Sequence, residues 1–249
     1  MTNLPTRTRS AENRQTRGLR PLVRLTAYAF LLQGVVFALL IVFLAGNLRF
    51  FVPTASVIWP EFLNELQAAP AQFLVIKALM LVLRTLYGVS MIGFALVWWR
   101  NNRSAAVLVL SFVLVSIPVI NAAQLMGMAL VPLASNYATA ANINDTVAMA
   151  AIGASASAIY TVAEYLDTFV NVVPFIGLLA SLFWLSTRVA GLERIKWILP
   201  LLIVLPFNKF LDLPPSLQLG AGLLNVVATG TYFFLMGWFI LRGEYRDKR

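Results

Sequence analysis

Apolar residues fill this chain in six long blocks, Leu25–Ala45, Gln72–Trp99, Ala105–Leu133, Tyr160–Leu185, Ile195–Leu211 and Leu217–Leu241. The blocks are apolar on every helical face. Most reach the length, about 20 residues, that carries a helix across a hydrocarbon core about 30 Å thick. A membrane β-strand would instead alternate polar and apolar positions over about 10 residues. The pattern predicts an all-α fold, a polytopic transmembrane helical bundle of six spans. The fifth block is the shortest and is interrupted by Pro200 and Pro206.

The gaps between blocks alternate in charge. Arg7, Arg9, Arg14, Arg17, Arg20 and Arg24 precede the first block. Arg100 and Arg103 fill the second gap, Arg188, Arg194 and Lys196 the fourth, and Arg242, Arg246, Lys248 and Arg249 the tail. The other gaps hold only Arg49 and Lys209. Lysine and arginine near span ends stay on the cytoplasmic side. Both termini are therefore expected in the cytoplasm, which requires an even number of spans. Residues 1–24 are expected to form a disordered basic tail, 25–241 the membrane domain and 242–249 a second basic tail. The first block is too long for the h-region of a signal peptide, about 7–15 residues, and reads as an uncleaved span. The expected location is the cell membrane, the inner membrane if the source is bacterial.

The external gaps carry their own structure. Asn47–Ala71 contains Pro53, Trp59, Pro60 and Pro70. It predicts a short helix, Glu61–Ala68, on the outer surface, with Pro60 in its first turn and Trp59 at the headgroup layer. The gap Ala134–Ile159 is rich in Ala, Ser, Asn and Thr. There Asp145 is expected to cap a helix running through Ala158 into the fourth span. Trp98, Trp99, Trp184, Trp197 and Trp238 sit at cytoplasmic span ends, as an interfacial belt does.

Composition narrows the chemistry. Of 249 residues 60% are hydrophobic and 12% charged, with a net charge of +9, whereas soluble domains carry roughly a quarter charged residues. The basic excess lies on juxtamembrane loops, where anionic lipid is its partner, and calls for no nucleic acid. The expected partners are the bilayer and anionic lipids at the cytoplasmic face, with a membrane-protein partner also open. There is no Cys and no His. That removes thiolate nucleophiles, iron–sulfur clusters, His-ligated haem or zinc, and Ser/His dyads. No cofactor or metal is expected, and no motif supports carboxylate, Lys, Tyr or Ser catalysis. No internal repeat of the inverted-transporter kind is present. The role reads as non-catalytic, accessory or structural; the alternative is a small-solute or ion transporter or channel.

That alternative rests on charges within the spans. Lys77 and Arg84 are seven residues apart, on one face of span two. Glu164, Asp167 and Asn171 form one stripe on span four, with Tyr160 a turn above. Span three adds Asn121 and Gln124, and span six offers Asn225 beside Ala221 and Thr229. Counting from the outer boundaries, Lys77, Glu164 and Asp167 lie at depths of about 8, 6 and 10 Å. Arg84, Asn121 and Asn171 lie at about 18, 18 and 17 Å. An outer layer would pair Lys77 with Glu164 or Asp167, and an inner layer would offer Arg84 the amides of Asn121 and Asn171. An unpaired charge at the bilayer centre costs at least about 2.5–3.5 kcal/mol, so Arg84 should face the bundle interior. The cluster is then either a polar cavity for an ion or solute, or a structural joint between spans two, three and four. Pro118, Pro174, Pro200 and Pro206 read as tolerated kinks, and Gln33 as an interhelical hydrogen-bonding residue.

The order of features resembles a family of six-span bacterial membrane proteins known only as a domain of unknown function. The similar parts are Arg24-Leu-Thr-Ala-Tyr-Ala-Phe-Leu-Leu opening span one, and the long external loop after it. Leu166-Asp167-Thr168-Phe169 and Thr187-Arg188 match on span four, and Trp238-Phe239-Ile240-Leu241-Arg242-Gly243 at the end of the last span. A His that the family carries at the start of span four is absent here. The resemblance implies a six-span fold, no activity and no catalytic residue.

Overall fold

The computed structural model describes the backbone of residues 6–46, 57–99, 102–188, 193, 195–204 and 214–242. Within these helices, side chains are described except at 6–20, 44, 45, 98, 171–176, 184–188, 203, 204, 215, 216, 218 and 219. Among the described residues helix is the regular structure: α1 (Thr6–Ala45), α2 (Trp59–Ala68), α3 (Pro70–Trp98), α4 (Arg103–Met128), α5 (Leu130–Asn142), α6 (Thr146–Arg188), α7 (Ile198–Val204) and α8 (Pro215–Leu241). Among the described residues, five segments are long and apolar enough to cross a membrane: Pro21–Phe43, Pro70–Val97, Arg103–Asn142, Thr146–Val170 and Gly220–Leu241. Of the expected fifth span, α7 is described, and the remainder with Pro206 and Lys209 lies outside the described residues.

The bundle buries a few polar side chains within an apolar core and also turns apolar side chains outward. On α1 the exposed stripe is Leu25, Tyr28, Leu32, Val35, Leu39 and Val42, spaced by three and four residues. The opposite face buries Thr26, Phe30, Gln33, Phe37 and Leu40. Val42 is 71% exposed while Gln33 is 1% exposed. A helix in water would reverse this preference.

The long helices α1, α3, α4 and α6 pack in sequence order, and α8 closes the bundle against α1. α1 lies against α3 and α8, α3 against α4, and α4 against α6, while α7 touches both α6 and α8. The tightest seam joins α1 to α8, where small residues let the backbones approach. A Cβ on Gly237 would lie 2.6 Å from the carbonyl oxygen of Ala27, and one on Gly34 would lie 2.8 Å from Cβ of Phe234. Beside that seam, Phe30 sits edge-on to Phe94 and stacked on Phe233, with centroids 6.1 and 5.8 Å apart.

The helices overrun the expected spans in two places. α1 begins at Thr6, so most of the tail expected to be disordered is helical. Its Arg, Gln, Glu and Ala residues favour helix, and joined to a long apolar helix they propagate it without a new nucleus. The expected gap Ala134–Ile159 is also mostly helical, because Ala is the strongest helix former. Pro132 offers no N–H to the carbonyl of Met128. The chain breaks there between α4 and α5, and the Ala129 N–H is shared between the carbonyls of Leu125 and Met126 at 3.3 and 3.1 Å.

Between α5 and α6, Asn144 turns the chain at φ 56°. The Asp145 carboxylate accepts from the Ala148 N–H at 2.9 Å, which is the expected cap, and α6 runs on unbroken for 43 residues. At 1.5 Å per residue α6 is about 65 Å long, roughly twice a hydrocarbon core. The hairpin of α5 and the first half of α6 therefore projects from one end of the bundle.

α2 forms where a short helix was expected, and it is docked on this hairpin. It buries Phe62, Leu63 and Leu66 and packs on α5 and α6. Trp59 meets Tyr160 edge-on at 5.6 Å.

Charges separate along the bundle. Arg24, Arg103, Lys196 and Arg242 share one end with Glu193, while Glu61, Glu65 and Asp145 lie at the projecting end. At the basic end each of three tryptophans carries a cation over its ring: Arg103 on Trp99 at 5.4 Å, Lys196 on Trp197 at 5.0 Å and Arg242 on Trp238 at 4.5 Å. The side chains of Trp98 and Trp184 lie outside the described residues.

Candidate functional site

Two contacts fix the register of α3 against α4. A Cβ on Gly88 would lie 3.2 Å from the Ile117 side chain, and one on Gly127 would lie 3.1 Å from Nζ of Lys77. The helices are antiparallel, so Arg84 stands level with Asn121. Gln124 lies one turn from Asn121, on the side of Lys77. Between α4 and α6 the contact of Phe112 with Gly177 sets the register. Asp167 then stands level with the turn at Asn121 and Ala122.

The direction of Arg84 follows from its neighbours on α3. Gly88, four residues on, faces α4. Tyr87, three residues on, faces α8, with its ring 5.6 Å from that of Phe233. Arg84 points between those two directions, into the space framed by α3, α4 and α8. Tyr232 on α8 is fully buried beside Phe233, 5.6 Å away. Tyr87 lies within electrostatic reach of both Arg84 and Tyr232.

In the outer layer Lys77 lies against an aromatic ring. Nζ of Lys77 sits 5.3 Å over the Phe73 ring, and the carboxylate whose charge acts on it is Asp167. Glu164 acts instead on Tyr160, one turn away on its own helix. Asn225 accepts a 3.3 Å hydrogen bond from Thr229, also on its own helix. The side chain of Asn171 lies outside the described residues.

The inner layer is less complete. Nε of Arg84, Oδ1 of Asn121, Oε1 of Gln124 and the hydroxyl of Tyr232 are buried without a hydrogen-bond partner among the described residues. Each such group costs about 1–3 kcal/mol if nothing satisfies it. One buried donor, two carbonyl acceptors and a hydroxyl that can do either are thus left on three helices. No group of three or more acidic side chains that could hold a metal occurs among the described residues.

Of the residues singled out in the sequence, helix register brings Lys77, Arg84, Asn121, Gln124 and Asp167 to neighbouring levels of α3, α4 and α6, while Asn225 bonds within its own helix. Tyr87 and Tyr232 had not been singled out. Their signal is position: tyrosine belongs at bilayer interfaces, and both stand deep within apolar blocks, Tyr87 one turn from Arg84. Gln33 has the interhelical partner expected of it, in Ser90. No protein-family model, curated protein or solved structure matches this chain, so the resemblance noted from its span-end motifs assigns it to no family.

Proposed function

We propose that this chain is a six-span integral membrane protein of the cell membrane, both termini cytoplasmic, with a non-catalytic accessory or structural role. The observation that carries the reading is the inverted burial pattern, with Gln33, Ser90 and Gln124 inside and Leu25, Val42 and Leu114 outside. The gathering of Arg24, Arg103, Lys196 and Arg242 at one end supports a cytoplasmic face in contact with anionic lipid. The apolar block that continues from α7 to Leu211 supplies the sixth crossing. On this reading the outer layer, Lys77 with Asp167, is a joint between α3 and α6.

A second reading is favoured by the unpartnered atoms around Arg84: the inner layer holds a small polar solute, and the protein carries it across the membrane. Reconstituted proteoliposomes separate the two. In an accessory role, their permeability to a panel of small polar solutes equals that of protein-free vesicles. Protein-dependent uptake that Arg84→Met removes would replace the accessory role with transport.

A further inference from the structure

We infer that the basic end of the α1–α8 seam is a site for one anionic phospholipid, its phosphodiester held between Arg24 and Arg242. The inference rests on the reading of that end as the cytoplasmic, lipid-contacting face and goes beyond it in giving the face one defined lipid site.

Register brings the two arginines together. The contacts of Gly34 with Phe234 and of Gly230 with Phe37 make α1 and α8 antiparallel. A Cβ on Gly237 would lie 2.6 Å from the carbonyl oxygen of Ala27 and 2.9 Å from the nitrogen of Leu31, so Gly237 is level with the turn centred on Ala29. Five residues on along α8 is Arg242, and five residues back along α1 is Arg24. The two therefore stand level, and by the same count Trp238 stands level with Tyr28. On each helix the arginine and the aromatic residue are four positions apart, one turn, and share a face. All four side chains are exposed. Phe30 and Phe233 stack on the inner side of the seam, which leaves the exposed faces of both helices on its outer side.

Charge then points to an anion. Neither arginine has a carboxylate partner among the described residues. The Arg242 guanidinium lies 4.5 Å from the centroid of the Trp238 ring. An indole accepts no strong hydrogen bond, so the N–H donors of that guanidinium remain for an oxygen anion, which phosphate offers in the geometry of the fork. Two like charges at one level repel, and an anion between them reverses that term.

The surface below the arginines selects a lipid over a free anion. Toward the projecting end the same faces continue with Leu32 on α1 and Phe234 on α8, 50% and 43% exposed. From Arg24 to Leu32 the rise is about 12 Å, an apolar track along which acyl chains lie. Soluble phosphate makes no use of it. Tyr28 and Trp238, between the charges and the track, are the residue types that favour the headgroup boundary. A zwitterionic headgroup brings its own cation to the two arginines, so a lipid with net negative charge fits better.

The test is thermal unfolding of the full chain in a maltoside detergent with phosphatidylglycerol, phosphatidylcholine or inorganic phosphate added. Phosphatidylglycerol should raise Tm, phosphatidylcholine less, and phosphate not at all. Arg24→Gln and Arg242→Gln change exposed side chains, so both should fold as wild type does. Each should raise the phosphatidylglycerol concentration needed for half the shift about fivefold. Arg103→Gln is the control, because α4 packs on α3 and α6, away from the seam; it should respond as wild type does. Equal losses in all three variants would mean a diffuse field instead of a site. Equal shifts from the two lipids would mean apolar contact alone, and a shift from phosphate would mean a soluble anion. Each of these results, or no shift in wild type, would overturn the inference. Topology is judged separately: if the basic end proves to face outward while the arginine-dependent shift persists, the lipid site stands and the cytoplasmic assignment falls.

Discussion

The Ser90 hydroxyl donates a 3.0 Å hydrogen bond to Oε1 of Gln33, joining α3 to α1 with both side chains buried. The two partners are not equivalent. The same hydroxyl lies 3.0 Å from the carbonyl oxygen of Tyr87, a second acceptor on its own helix. Gln33→Leu leaves Ser90 that acceptor, whereas Ser90→Ala strands the Gln33 amide in the bundle.

The expected order of stability in detergent is therefore wild type, then Gln33→Leu, then Ser90→Ala. Interhelical polar contacts in bilayers are worth about 0.6 kcal/mol on average and up to about 1.7, so Ser90→Ala should lie near the upper figure. The double variant should recover part of the loss. Equal losses for the two single variants would show that the hydrogen bond does not hold the pair.

Close packing of α1 on α8 makes a second prediction. Alanine at Gly237 would set its Cβ 2.6 Å from the Ala27 carbonyl oxygen and 2.9 Å from the Leu31 nitrogen. Backbone atoms cannot move aside as a flexible side chain can. Gly237→Ala should cost about 1–3 kcal/mol, the range for overpacking. Gly153, on the projecting half of α6, has nothing within 4 Å of the same position. Gly153→Ala should gain about 0.5–1 kcal/mol from helix propensity. Thermal unfolding of the two variants side by side checks both signs.

The outer layer yields a third. The charge of Asp167 acts on Lys77 and that of Glu164 on Tyr160. Lys77→Met should destabilise the protein, because removing one partner leaves a buried charge uncompensated. Adding Asp167→Asn should restore much of the loss, and adding Glu164→Gln should restore little. Rescue by Glu164→Gln alone would reassign the partner.

Much of this arrangement is legible in the sequence because helical rise is fixed. Counting residues from the outer boundaries already sets Arg84 at the depth of Asn121, and the contacts of Gly88 and Gly127 agree. Depth does not reveal direction, however. Tyr87 and Tyr232 look like any other apolar-block residues until packing buries them within reach of each other, with Arg84 within reach of Tyr87. The projecting hairpin is hidden for a different reason. Residues such as Ser135, Asn136 and Thr139 interrupt the hydropathy and read as a gap, although the surrounding alanines keep the backbone helical. The docking of α2 depends on Trp59 meeting Tyr160, about a hundred residues away in the chain, and no local pattern encodes that pairing.

Orientation is tested most directly by single cysteines in a chain that has none of its own. Ser104, at the start of α4, and Ser135, on α5, are both exposed at opposite ends of the bundle, and Arg242 follows the last helix. With membrane-impermeant thiol reagents on sealed vesicles of known sidedness, Ser104→Cys and Arg242→Cys should label only from the cytoplasmic side, and Ser135→Cys only from outside. Labelling of Arg242→Cys from outside would mean an odd number of crossings, and the reverse pattern at Ser104 and Ser135 would invert the protein; either result would contradict six spans with both termini cytoplasmic.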